Sequence, residues 1–292
     1  MRSTPYPFAI IGLCCALLVG CQSPASTSNS SGSTPAAPAP APMTVNGPTL
    51  AAAAPVAATP VPVVTPPAPA AVAKSATLPP VTIHLAGDST VCNYPSTTVQ
   101  EGWGMELGQF FNDQVKVDNQ AQGGANVQSF YNSGRWRNII GAIQPGDYVL
   151  MQFGANDSGT AHGPVSPPDF ADTLGVMADE VRAKGGTPLF VTPSAFFDWR
   201  ADGQENNARL APYAAACHTA GAAKNALVVD LNARGVEWLN SIGRDTAAPF
   251  YLPNSQHVPD KAHFVKAGAT QMAKMVAGEI KRINSPLAAY LK

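Results

Sequence analysis

The run Asp147-Tyr148-Val149-Leu150-Met151-Gln152-Phe153 narrows the folds open to this chain more than any other segment. It is β-rich and almost wholly apolar, and it stops at Gly154. A strand with one wet face alternates polar and apolar residues, whereas a near-continuous apolar run marks a strand covered on both faces. Four more short runs read as strands: Val81–Ala86, Val115–Asp118, Thr187–Thr192 and Ala226–Leu231. Helical segments separate them, over Gly104–Phe111, Ser133–Ile143, Asp169–Lys184 and Asn206–Ala223, with Val265–Ile283 closing the chain's last third. In Asp169–Lys184 the apolar residues Phe170, Leu174, Met177 and Val181 recur at helical spacing. Strands alternating with helices predict parallel βαβ units with right-handed crossovers. The expected fold is therefore α/β, an open, doubly wound parallel sheet with helices on both faces. Ligands of such sheets bind beyond the carboxyl ends of the strands. The polar groups that follow strand ends should then converge: Asp88-Ser89, Asn119–Asn126, Asn156-Asp157 and Pro193–Arg200.

Composition confines this fold to residues 79–292. From Gln22 to about Leu78 the chain is Ala, Pro, Ser, Thr and Val, with almost no charge and no aromatic residue. Such a segment buries too little apolar surface to offset its ordering entropy, and its prolines make it a semi-extended spacer. Ahead of it, Arg2 precedes the apolar run Phe8–Val19, the length of a signal-peptide core and shorter than the roughly 20 residues of a membrane span. Leu18-Val19-Gly20-Cys21 resembles the lipobox of bacterial lipoproteins. The resemblance implies a signal peptide over 1–20, lipidation at Cys21, and a lipid-anchored disordered linker over 21–78. Gln22, in place of the aspartate linked to inner-membrane retention, points to an exported protein on the outer membrane. An ordinary signal peptide with an incidental cysteine is the plainer alternative.

Net charge is −1 and charged residues make up 13% of the chain. With no basic stripe, nucleic acid is not an expected partner. Of five cysteines, Cys14 and Cys15 leave with the signal peptide and Cys21 takes the lipid, so Cys92 and Cys217 remain. In an oxidising compartment a disulfide between them and two partly buried thiols both fit.

Four segments carry candidate chemistry. Ser89 follows the first strand, at the start of a turn into a helix; alone, Gly87-Asp88-Ser89 also describes a helix cap. Asp260-Lys261-Ala262-His263 puts a carboxylate and an imidazole on one face of a helical or tight turn, where the first can orient the second. Asn156, in Gly154-Ala155-Asn156-Asp157, can donate an amide N–H to a developing oxyanion or simply shape a turn. Gly123-Gly124, within Asn119–Asn126, can present a backbone N–H to a ligand or serve as a flexible connection. Trp199 and Arg200 follow the fourth strand and His257 lies near the Asp–His pair, so these three are candidate substrate contacts. Trp103, Trp136 and Trp238 read as packing, His84 as structural, and His162 as a residue that can border the site.

Taken together, these blocks resemble the SGNH (GDSL-like) hydrolases, and within them the rhamnogalacturonan acetylesterase branch. The residues that carry the likeness are Ala86-Gly87-Asp88-Ser89-Thr90, Gly102-Trp103-Gly104, Asn119-Gln120-Ala121 with Gly123-Gly124, Ser129-Phe130, Gly134-Arg135-Trp136, Gly146–Gly154, and Asp260 with His263. The likeness spans residues 81 to 283. It implies a three-layer α/β/α, flavodoxin-like, five-stranded sheet. It also implies a catalytic triad of Ser89 as nucleophile, His263 as base and Asp260 as its orienting carboxylate. The oxyanion hole would consist of the N–H groups of Ser89 and Gly124 with the Asn156 amide. No metal or organic cofactor is implied. The implied activity is removal of O-acetyl groups from a polysaccharide through an acetyl-serine intermediate. The alternatives are an esterase for small or lipid-like acyl esters and a non-catalytic glycan-binding lipoprotein. Two departures stand out: Ala125 where the branch usually has Arg, and Ala155 where it commonly has His. Both weaken the assignment to an acidic pectic polymer.

Overall fold

The computed structural model describes residues 78–292. The expected signal peptide, Cys21 and nearly all of the expected spacer lie outside the described residues. The elements in chain order are β1 (Val81–Gly87), β2 (Gln100–Glu101), α1 (Trp103–Glu106), β3 (Val115–Asn119), α2 (Val127–Tyr131), α3 (Gly134–Ala142), β4 (Tyr148–Gln152) and α4 (Pro167–Ala183). Then follow β5 (Thr187–Val191), α5 (Ala211–Lys224), β6 (Leu227–Val229), α6 (Leu231–Ile242), α7 (Arg244–Ala247), β7 (Tyr251–Pro253), β8 (Pro259–Val265) and α8 (Lys266–Arg282).

The core is a five-stranded sheet in the order β3-β1-β4-β5-β6 with every pairing parallel. It is the flavodoxin-like order, with the chain reversing direction across the sheet between β3 and β4. All five strands expected from the sequence are present. The run that suggested the fold is β4, buried along its whole length. Its side chains divide between two cores: Tyr148 and Leu150 face the layer that holds α6 and α8, while Val149 and Met151 face the layer of α3, α4 and α5. Leu189 and Val191 split from Phe190 in the same way on β5. Two dry faces explain why β4 lacks alternation.

Several boundaries differ from expectation. The segment expected as one helix from Gly104 is a four-residue α1 followed by a 3₁₀ turn at Leu107–Phe110. The segment from Asn206 splits at Leu210, because Pro212 suits the first turn of α5 and cannot continue a preceding helix. A second, antiparallel sheet of order β2-β8-β7 was not expected at all. Its strands are two, three and seven residues long, and β8 is interrupted by a bulge, so none leaves a clear alternating pattern. Cys92 and Cys217 are free, buried thiols that belong to the two opposite cores, so the disulfide is excluded in this fold. His84 is structural as expected: it is buried, with its ring nitrogens 2.9 Å from Asp118 Oδ2 and 3.4 Å from Asp147 Oδ2.

Gly104 lets α1 lie against the loop that follows β1. A Cβ there would stand 2.5 Å from Asn119 Nδ2, 2.6 Å from the Val91 carbonyl oxygen and 2.7 Å from Leu85 Cδ1. Two of these neighbours are fixed by backbone or core packing. Gly104→Ala is therefore expected to lower unfolding free energy by about 1–3 kcal/mol, read from urea denaturation of wild type and variant. An unchanged midpoint would contradict the close approach.

Candidate active site

Residues from opposite ends of the domain meet at the carboxyl edge of the sheet. Ser89 follows β1 on a single turn in which the Asp88 carbonyl accepts from the N–H groups of Val91 and Cys92. The turn does not continue into a helix, contrary to expectation; Pro95 disfavours helical backbone at the residue before it. Asp88 is wholly buried, and its Oδ1 accepts from the Thr90 N–H at 2.9 Å and the Thr90 hydroxyl at 2.8 Å. Thr90 Oγ1 in turn accepts from Gln152 Nε2 at 2.8 Å, and Gln152 Oε1 from Trp103 Nε1 at 2.7 Å. This relay locks the turn to β4. Burial pushes the Asp88 carboxyl up to about 6 despite the two Thr90 bonds. Tyr94 completes the support by donating its hydroxyl to the Ser89 carbonyl at 2.9 Å.

His263 and Asp260 lie on β8, not on a helix. Tyr251 pairs with Phe264 and Pro253 with Pro259, so β7 advances from 251 to 253 while β8 runs from 264 to 259. Residues 260–263 form the resulting bulge, a device that re-aims side chains beside functional sites. Asp260 Oδ1 accepts from the N–H groups of Ala262 at 2.7 Å and His263 at 2.8 Å, and from His263 Nδ1 at 3.0 Å. A carboxylate only accepts, so Nδ1 carries the proton and neutral Nε2 is left as an acceptor. The Ser89 hydroxyl donates to it at 2.9 Å. Burial opposes the charge on Asp260, yet the bonds from the His263 ring and the two N–H groups hold its carboxyl down at about 2. The same ring bond raises the His263 pKa above 6.5, against the opposing effect of burial.

The expected oxyanion groups gather on the other side of Ser89. A Cβ built on Gly123 would stand 3.9 Å from Ser89 Cβ. Gly124 has φ +76°, a left-handed conformation that glycine adopts without cost. Neither the Ser89 nor the Gly124 N–H has an acceptor among the described residues. The Asn156 amide donates to the Ala125 carbonyl at 3.0 Å, which joins the two loops and leaves its second amide proton free. Beneath them the buried Asp157 carboxylate accepts from the Val127 N–H and the Gly154 N–H, both at 2.9 Å. Asn126 caps α2 and donates to the carbonyls of His162 and Gly163, each at 2.8 Å.

The expected substrate contacts divide. Trp199 and Arg200 line a cavity of about 540 Å³ with Asp198, Arg244, Pro259 and Lys261. Pro259 and Lys261 flank Asp260, so this cavity borders the Asp–His bulge, and the Phe197 N–H donates to the Lys261 carbonyl there. Trp199 also packs edge-on against Phe197. His257 is exposed on the turn between β7 and β8 and does not line that cavity. Trp103 and Trp136 are buried packing residues as expected, and Trp238 stacks edge-on against Phe250. Sequence reasoning gave no site role to Tyr94, Gln152 or Arg209: Gln152 was read only as part of the apolar strand run, and Tyr94 and Arg209 sit in no recognisable local pattern. Among the described residues no group of three His, Cys, Asp or Glu side chains is arranged around a metal position.

The geometry fixes the titration of His263. Replacing Asp260 by Asn removes the acceptor charge, so the His263 pKa is expected to fall from above 6.5 toward or below it, measured by NMR titration of the ring resonances. An equal pKa in both proteins would contradict the bond.

This site and sheet have counterparts in known proteins. The model of the GDSL-like lipase/acylhydrolase family matches residues 85–270. A rhamnogalacturonan acetylesterase of Bacillus subtilis is 33% identical over 221 residues, which are 73% of this chain and 94% of that protein. A probable rhamnogalacturonan acetylesterase of the same organism is 32% identical over 212 residues, 70% of this chain and 94% of that protein. The crystal structure of the Bacillus subtilis protein YxiM matches with a TM-score of 0.64 at 31% identity; the match covers 71% of this chain and 58% of that one. The chain therefore belongs to the GDSL-like lipase/acylhydrolase family, the SGNH hydrolases, in the branch similar to rhamnogalacturonan acetylesterases, and it is a carboxylic ester hydrolase.

Proposed function

We propose that this protein removes O-acetyl groups from an acetylated polysaccharide, with Ser89 as nucleophile. The observation that carries the chemistry is the line Ser89 Oγ to His263 Nε2 at 2.9 Å and His263 Nδ1 to Asp260 at 3.0 Å. Ser89 Oγ attacks the acetyl carbonyl carbon as its proton passes to His263 Nε2. The carbonyl oxygen becomes an oxyanion held by the N–H groups of Ser89 and Gly124 and the free Asn156 proton. Collapse breaks the C–O bond to the sugar, whose oxygen takes the proton from His263, and leaves acetyl-Ser89. Water, deprotonated by the same base, releases acetate and restores Ser89. Asp260 keeps the proton on Nδ1 and stabilises the imidazolium formed in each half.

Acetyl as the acyl group and a glycan as its carrier are supported by the two relatives named as rhamnogalacturonan acetylesterases. For the first 78 residues the same reading holds an export signal over 1–20, a lipid at Cys21 and a spacer that carries domain 79–292 on the bacterial outer membrane. Their support is the Arg2, Phe8–Val19 and Leu18–Cys21 pattern.

Two experiments test the reading. Acetate release from acetylated rhamnogalacturonan, xylan and a bacterial exopolysaccharide should be detectable for the wild type and lost in Ser89→Ala. Asn156→Ala should lose about 10²–10³ in kcat while keeping its melting temperature; release from none of the glycans, or full activity in either variant, would sink the proposal. For the anchor, labelling of cells with a palmitate analogue should mark the wild type and not Cys21→Ser.

A further inference from the structure

A second cavity, of about 560 Å³, opens on the oxyanion side of the site. Asn156, Ser158, Thr160, His162 and Arg209 supply its polar side chains, and no acidic residue lines it. Arg209 is held there from three directions. Its Nε donates to Ser158 Oγ at 2.8 Å, its Nη2 donates to the Ala155 carbonyl at 3.2 Å, and its guanidinium carbon lies 5.3 Å from the Phe196 ring centroid. A guanidinium has five N–H donors. The two on Nη1 have no protein acceptor among the described residues, and since Arg209 is exposed they face the open cavity. The neighbouring His162 ring stands over Gly124, within 3.3 Å of where a Cβ would be. Its loop is pinned by the two bonds from Asn126.

A guanidinium held in place with free donors presents a planar fork that matches a carboxylate. The same cavity contains Asn156, so a group bound to Arg209 sits beside the ester that Ser89 attacks. In the cavity on the Asp260 side, by contrast, Arg200 pairs with Asp202 at 3.3 Å and Lys261 with Asp198 at 3.0 Å. We infer that Arg209, flanked by His162, is a specificity-determining residue that binds the carboxylate of an acidic sugar at or next to the acetylated position. This rests on the proposed reading of Ser89 as the nucleophile of a polysaccharide deacetylase.

The test compares kcat/KM on acetylated polygalacturonate oligosaccharides with kcat/KM on acetylated xylan oligosaccharides, in wild type, Arg209→Gln and Arg209→Lys. The acidic-to-neutral ratio should fall about tenfold to a hundredfold in Arg209→Gln, through KM more than kcat, and recover in part in Arg209→Lys. In the wild type, raising NaCl to about 0.5 M should raise KM for the acidic substrate and not for the neutral one, a reading that needs no variant to fold. An unchanged ratio in Arg209→Gln, or equal salt dependence for both glycans, would overturn the inference while acetate release by the wild type left the proposed activity standing. If the wild type releases acetate from neither glycan, the proposed activity and this inference fall together.

Discussion

The bond between Ser89 and His263 joins residues 174 positions apart, and the rest of the domain is arranged around that meeting. One partner hangs from β1, an interior strand of the core sheet between β3 and β4. The other hangs from a bulge in β8, immediately before α8. The distance between them is set by how α8 docks on the sheet, and that docking is apolar: Ala269, Met272, Ala273, Val276 and Ile280 are buried in one continuous core with Leu85, Leu150 and Leu189. Gly104 and Trp103 fill the space between this helix and the turn that carries Ser89. Loosening that packing moves the base away from the hydroxyl without touching either residue.

The site is also built on buried carboxyl groups that do no chemistry in the proposed cycle. Asp88 and Asp157 are both wholly buried, and burial raises the pKa of each. Asp157 offsets that cost with bonds from two backbone N–H groups, and so ties the loop after β4 to the start of α2. Asp88 has only its Thr90 bonds, and its Oδ2 has no partner. A group placed so expensively one residue from Ser89 shapes the turn that presents the hydroxyl. Polar order of this kind would keep the proposed oxyanion donors in place before the charge appears, which is what makes such donors effective.

Most of this was readable from the chain. Doubly buried strands such as Tyr148–Gln152 announce a parallel sheet through their lack of alternation, and the rule that sites lie at strand ends led to Ser89, Gly124 and Asn156. The Asp260–His263 spacing was legible as a contact, but where a helical or tight turn was expected the pair lies in a bulged strand. A bulged strand has no period, so only the pairing with β7 reveals it. The short strands Gln100–Glu101 and Tyr251–Pro253 carry too few residues for any pattern. Arg209 was invisible for a different reason: its partners, Ser158 and Ala155, are more than fifty positions away. The division between Trp199, which lines a cavity, and His257, which points to solvent from a turn, likewise depends on tertiary placement. The free thiols follow the same logic, since nothing local distinguishes Cys92 and Cys217 on opposite faces of a sheet from a bonded pair.

The proposed cycle turns on Ser89 carrying the acyl group between two half-reactions. Rapid quenching during turnover of p-nitrophenyl acetate, followed by peptide mass spectrometry, reads that step directly. One acetyl group is expected on the peptide containing Ser89, at the serine oxygen, and none in Ser89→Ala. Turnover without an adduct, or with the acetyl group on another residue, would contradict it.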